Sequence, residues 1–162
     1  MERMCESLSA IKHQDMQQFL SDSPWEAAAL WKWTGQEASR VLGGGRENML
    51  LIDESGFAKK GTKSVGVSRQ YNGRLGKVDN YLLGVFTALT HRQRVDLVGA
   101  RLFLPEEWTQ DRARRVESGV PKDHQRYRTR NELAWELIER ARPVSLKNLP
   151  PRVIASPNPE PT

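Results

Sequence analysis

An apolar run, Met49-Leu50-Leu51-Ile52, leads directly into Asp53 and Glu54. Such a run reads as a short buried strand, and a carboxylate at its carboxyl end sits on a rigid element where a sheet opens. Two or three carboxylates of this kind can hold a divalent cation such as Mg²⁺ through oxygen ligands and support phosphoryl transfer. One carboxylate does not make that site, and aspartate at a strand end serves equally as a turn or cap residue. Other site chemistry is poorly supplied. Cys5 is the only cysteine, and His13, His91 and His124 are scattered without ligand spacing, which excludes an internal disulfide and argues against zinc. No nucleophile or base partner is recognisable beside any histidine.

The cations are grouped. Residues 55–78 hold Lys59, Lys60, Lys63, Arg69, Arg74 and Lys77 with no acid, and residues 111–130 hold seven Lys or Arg against three acids. Residues 1–54 are acidic, with nine Asp or Glu against five Lys or Arg. Two short basic blocks fit a polyanionic partner, although a solvated surface would show the same composition. If the strands around the first block form hairpins, its cations come to lie beside Asp53.

Several elements must position these residues. Ser23-Pro24-Trp25-Glu26 is a helix start, predicting a helix from Pro24 to about Val41 that Gly43-Gly44-Gly45 ends. Strands are predicted at Met49–Ile52, Ser64–Tyr71, Tyr81–Thr90 and about Val95–Leu104, with glycine-bearing connections suited to an antiparallel meander. Pro105-Glu106-Glu107 through Arg115 reads as a helix with complementary end charges. Thr129-Arg130-Asn131-Glu132 has capping-box spacing, and Leu133, Ala134, Leu137, Ile138 and Ala141 form one apolar helical face. Strands followed by a helix, behind a small helical region, indicate an α/β or α+β domain. Trp25, Trp31 and Trp33 crowd the first helix and are expected to pack, against the domain or a missing piece of it, rather than to stack on bases. Six of the nine prolines fall in residues 143–162, which read as a low-complexity, disordered tail. The chain has 162 residues, a net charge of +5 and no long apolar segment, so a soluble intracellular protein without a membrane partner is expected.

Residues 46–80, RENMLLIDESGFAKKGTKSVGVSRQYNGRLGKVDN, resemble the start of the catalytic domain of DDE-type bacterial transposases, and most of all the IS701-like group of insertion-sequence transposases. Gln18 to Trp25, Ala100 to Trp108, Gly119-Val120-Pro121 and Arg128-Thr129 to Leu137 continue the likeness, which covers about residues 14–142. The resemblance implies a ribonuclease-H-like fold and DNA cleavage and strand transfer with Mg²⁺ or Mn²⁺ held by two aspartates and a glutamate. Asp53 matches the first aspartate. DNA is then the implied partner, with Lys59, Lys60, Lys63, Arg69, Arg74 and Lys77 as sequence-blind, salt-sensitive phosphate contacts near the site. A full-length transposase is a second implied partner, and the implied location is bacterial cytoplasm, at the nucleoid.

The likeness stops near Arg142, where the second aspartate should follow on a fourth strand. No aspartate occurs after Asp123; Glu132, Glu136 and Glu139 lie on the predicted helix and Glu160 in the tail. The division expected is therefore a helical region at 1–45, an incomplete ribonuclease-H-like domain at 46–142 and a tail at 143–162. On this reading the chain is a transposase fragment from an interrupted reading frame, inactive alone. The alternatives are a non-catalytic module that binds DNA or transposase and inhibits transposition, or a remnant without function.

Overall fold

Pairing carries the strand that begins at Met49 well past its apolar run. In a computed structural model, which describes residues 12–24, 26–42, 47–72, 76–145 and 153–155, β1 spans Met49–Ala58. Leu50 and Ile52 are buried on one face, whereas the second half is more exposed and is held extended by β3 (Lys77–His91), with Ala58 opposite Tyr81. β2 (Ser68–Asn72) is shorter than the segment expected from Ser64, and it pairs with β3 rather than with β1. β4 (Arg94–Leu102) also pairs antiparallel with β3. The meander of the ribonuclease-H-like fold is thus made by β1, β3 and β4 side by side, followed by the long helix described below, in a mixed α+β arrangement.

A further strand, β5 (Val153–Ala155), runs parallel to β1 with Leu50 opposite Val153 and Ile52 opposite Ala155. It falls inside the stretch that proline content assigns to a tail. A β-branched pair flanked by prolines is too short to show any periodicity, and only the open edge of β1 reveals it as a strand.

Side-chain caps mark two of the described helices and are absent from others. α1 (His13–Asp22) was not foreseen, and its start at Lys12 carries no side-chain cap. α2 is Ala27–Leu42. The single helix expected from Pro105 is two, α3 (Glu106–Gln110) and α4 (Arg112–Glu117), because Asp111 turns extended and its carboxylate accepts the Arg114 amide at 2.9 Å as a new N-cap. α5 spans Arg130–Ser145 behind a formed capping box: Thr129 N donates to Glu132 at 2.7 Å and Glu132 N donates to the Thr129 hydroxyl at 3.2 Å.

The chain divides into two compact units, Met1–Leu30 and Trp31–Thr162. The second holds the sheet and its core, in which Leu133, Leu137, Ile138 and Ala141 of α5 lie with Leu50, Ile52, Leu83, Val85, Leu89 and Val98. Gly99 permits this approach: a Cβ there would stand 2.6 Å from Thr87 Oγ1 and 3.0 Å from a Leu137 methyl carbon. A smaller cluster joins Leu104, Trp108 and Val120, with Val65 against it. Of the tryptophans on the first predicted helix, Trp31 is half-buried and Trp33 is exposed. Trp25 and Gly43–Gly45 lie outside the described residues.

Candidate functional site

Successive strand residues face opposite sides of a sheet. Leu50, Ile52 and Glu54 therefore point toward α5, while Asp53 points to the other face, where it is exposed. Asp53 pairs with Phe86 in mid-strand rather than at the strand's end, a correction that follows from the extension of β1. Its Oδ1 accepts the Glu54 amide at 2.8 Å. Glu54 has a different environment. Arg130, the first residue of α5, donates to its carboxylate at 2.9 Å, tying β1 to the helix start.

The same inner face carries a second ionic group. Val85 pairs with both Glu54 and Arg101, so Arg101 lies two strands across from Glu54 on the same side. Its guanidinium is 3.1 Å from Glu136, which Arg128 also contacts and Arg140 meets at 2.8 Å. Burial lowers the Arg101 pKa from its ordinary value, with Glu136 opposing that shift. Arg101 Nη1 lies 2.6 Å from His124 Nε2, and burial, followed by the Arg101 charge, holds the His124 pKa below the usual imidazole range. Sequence spacing could not foresee this cluster, because α5, β4 and the turn at Lys122–His124 meet only in the folded chain.

The basic residues of the first block do not surround Asp53. Lys59 donates its amide to Asn80 O, and Arg69 pairs with Asn80, which places both at the far end of β1. Five strand steps lead from Asp53 to Ala58, about 17 Å at the rise of an extended chain. Lys63 and Arg69 instead share an open cleft of about 600 Å³ with Arg114, Ser68, Glu107 and Glu117. Arg114 is fixed there, its guanidinium 3.6 Å over the Trp108 ring and Nη2 donating to Thr62 O at 2.7 Å. Trp108 is fully buried and donates Nε1–H to Val67 O at 2.8 Å. Arg114 belongs to the second basic block, and its position depends on the break at Asp111. Lys60 is exposed, Lys77 is paired with Asp79 at 3.0 Å, and Arg74 lies outside the described residues. The Lys77 ammonium and the Asn80 amide hold the Asp79 carboxyl below the usual carboxylate range.

Comparison with known proteins decides the family. A model of the DDE superfamily endonucleases matches residues 1–153. The chain belongs to that family. Its relatives include a probable transposase for insertion sequence element IS701 of Microchaete diplosiphon, 33% identical over 139 residues, which cover 83% of this chain and 32% of the relative. The chain thus spans about a third of the length of that curated relative. No solved structure matches.

DDE superfamily endonucleases generally use divalent metals. The donor set here does not fit such an ion: no three of His, Cys, Asp and Glu converge among the described residues. Among the described residues Asp53 joins no such group, and Glu54 is turned away from it and paired with Arg130. β5 lies beside β1, but the residue that follows Ala155 in the sequence is Ser156, not a carboxylate. Among the described residues no helix is long and apolar enough to cross a membrane.

Proposed function

We propose that this chain is one part of an insertion-sequence transposase, supplying Asp53 as the first metal-binding aspartate of a DDE site that it does not complete. The family match, together with the position of Asp53 on β1 between β3 and β5, supports this reading. Residues 46–142 are then the core of the catalytic domain, bounded by a helical segment before and a short edge strand after. A lone exposed carboxylate binds Mg²⁺ or Mn²⁺ weakly, because the affinity of such sites comes from several convergent oxygens. Cleavage and strand transfer by the isolated chain should be undetectable on supercoiled DNA carrying the cognate element end. Nicking that depends on Mg²⁺ or Mn²⁺ and disappears in Asp53→Ala would overturn the incompleteness of the site.

The cleft supports a second, compatible role. Lys63, Arg69 and Arg114 line one concave surface, with Lys59 and Lys60 preceding it in the chain, and this arrangement suits duplex phosphates without reading sequence. Such contacts would give nonspecific DNA binding in the cytoplasm, at the nucleoid, and occupation of DNA or pairing with a complete transposase would interfere with transposition.

A further inference from the structure

β3 runs further than β1. β1 ends at Ala58, opposite Tyr81, so among the described residues Lys77, Val78 and Asp79 are paired by β2 alone. The β2–β3 pair therefore continues past the end of β1 as a two-stranded antiparallel ribbon, with Arg69 opposite Asn80, Gln70 opposite Asp79 and Tyr71 opposite Val78. Its two faces differ. One carries Asp79, tied to Lys77 at 3.0 Å, and Gln70, which donates to Tyr81 O at 3.2 Å. The other carries Arg69 and Asn80, which line the cationic cleft, and then Tyr71 and Val78, which are 56% and 52% exposed. This second face is also that of Asp53. Asn80 and Val78 lie six and eight residues from Phe86 along β3, an even spacing that keeps their side chains on one side, and Phe86 is the partner of Asp53. At the rise of an extended strand, eight residues put the Tyr71–Val78 pair about 27 Å from Asp53.

We propose that this ribbon lies in the major groove of duplex DNA and that Tyr71 and Val78 contact thymine 5-methyl groups there. The inference rests on DNA as the partner in the transposase reading and deepens it by naming a base contact. Width selects the groove: the major groove, about 12 Å across, admits a two-stranded ribbon, whereas the minor groove, about 6 Å across, does not. Charge selects the face, since the side with Asp79 presents a carboxylate to phosphates, while the side with Tyr71 and Val78 continues into Lys63, Arg69 and Arg114. Chemistry selects the base feature. Thymine presents an apolar methyl in that groove, and an exposed apolar pair gains burial against it. A duplex that follows β3 would bring Asp53 about eight base pairs from the methyl contact, at about 3.4 Å per base pair. The ribbon thus leaves Asp53 uncovered while holding the duplex that must reach it.

The test measures, by fluorescence anisotropy, the affinity of the full chain for A·T duplexes of one length in which thymidine is kept or replaced throughout by deoxyuridine, which removes only the 5-methyl groups. Replacement should weaken binding about four- to fifteenfold, about fourfold for each of one or two methyl groups buried. The salt slope should be the same on both duplexes, because no charge changes. Conversely, 5-methylcytosine in place of cytosine in a G·C duplex should strengthen binding over the same range. Tyr71→Ser combined with Val78→Ser should bind the two A·T duplexes alike while the thermal transition seen by circular dichroism persists, because both side chains are already half in solvent. The proposal is overturned by equal affinity of the parent for thymidine and deoxyuridine duplexes, by discrimination that the serine variant retains, or by a homodimer in sedimentation that the serine variant dissociates. Salt-dependent binding blind to the methyl groups would overturn this contact alone, whereas absence of duplex binding would overturn the DNA partner with it. The catalytic assignment is read separately, by the nicking assay on Asp53→Ala.

Discussion

Asp53 and Glu54 are chain neighbours with opposite surroundings, and the difference predicts separable effects. Glu54 is partly buried and holds Arg130 at 2.9 Å, so Glu54→Gln weakens a charge-assisted contact that anchors the start of α5. A loss of about 1–2 kcal/mol is expected in urea unfolding, with the m-value unchanged. Asp53→Asn, at an exposed position with only its own neighbour's amide to accept, should stay within about 0.5 kcal/mol of the parent protein. The reverse ranking would show that the two carboxylates have been placed on the wrong faces. His124 supplies a second prediction at this scale. Arginine only donates hydrogen bonds, so Nε2 at 2.6 Å from Arg101 must accept, and the ring is neutral. Burial and the charges of Arg101 and Arg140 depress its pKa, while Asp123 and Glu136 oppose them. The unfolded chain therefore takes up the proton more readily. Stability is at its full value above the unfolded histidine pKa of about 6.5 and falls as pH drops through it toward the lower folded value. Thermal midpoints followed downward through that pH should decline for the parent and decline less for His124→Gln.

The helix behind this cluster shows which elements local chemistry specifies. Thr129 and Glu132 close a reciprocal cap, and Thr129→Ala should cost about 1 kcal/mol, measurable by chemical denaturation. Loss of the Thr129 hydroxyl would also raise the Glu132 carboxyl pKa, which the Thr129 amide and hydroxyl now hold down. This helix was readable beforehand because its cap and its apolar spacing agree at Leu133, Leu137, Ile138 and Ala141. β1 was readable only to Ile52, since Asp53 to Ala58 have no strand pattern of their own and are extended by their partners on β3. β5 was unreadable for a related reason: three residues among prolines acquire a conformation only from the free edge of β1. The break between α3 and α4 depends on one competing cap at Asp111 inside a segment whose end charges suit a continuous helix. The type of residue at the candidate site was thus legible, while the company it keeps was not. Asp53 could be named from its neighbours in sequence, but the distance from it to Lys59 and Arg69 is set by where β1 stops.

Across the whole molecule the charges are divided, with an acidic first third and two basic blocks that the fold brings together at the cleft of Lys63, Arg69 and Arg114. This division makes a quantitative prediction about DNA. Each phosphate neutralised by a cation contributes about −0.9 to the slope of log affinity against log salt, so three contacts give about −2.7 and a loss of roughly 40-fold between about 50 and 200 mM salt. Lys63→Ala with Arg69→Ala removes two exposed cations without touching the Arg114–Trp108 stack that holds the cleft wall. The same change in salt should then cost the variant only about fourfold. Both effects should be equal on unrelated duplexes of the same length, because phosphate contacts carry no sequence information. Glu107 and Glu117 line the same cleft and oppose an incoming phosphate, so Glu107→Gln with Glu117→Gln should strengthen binding at every salt concentration. Fluorescence anisotropy with a labelled duplex measures all three proteins in one titration series. A salt slope that the double alanine substitution leaves unchanged would move the DNA-contacting surface away from this cleft, toward the arginines around Glu136.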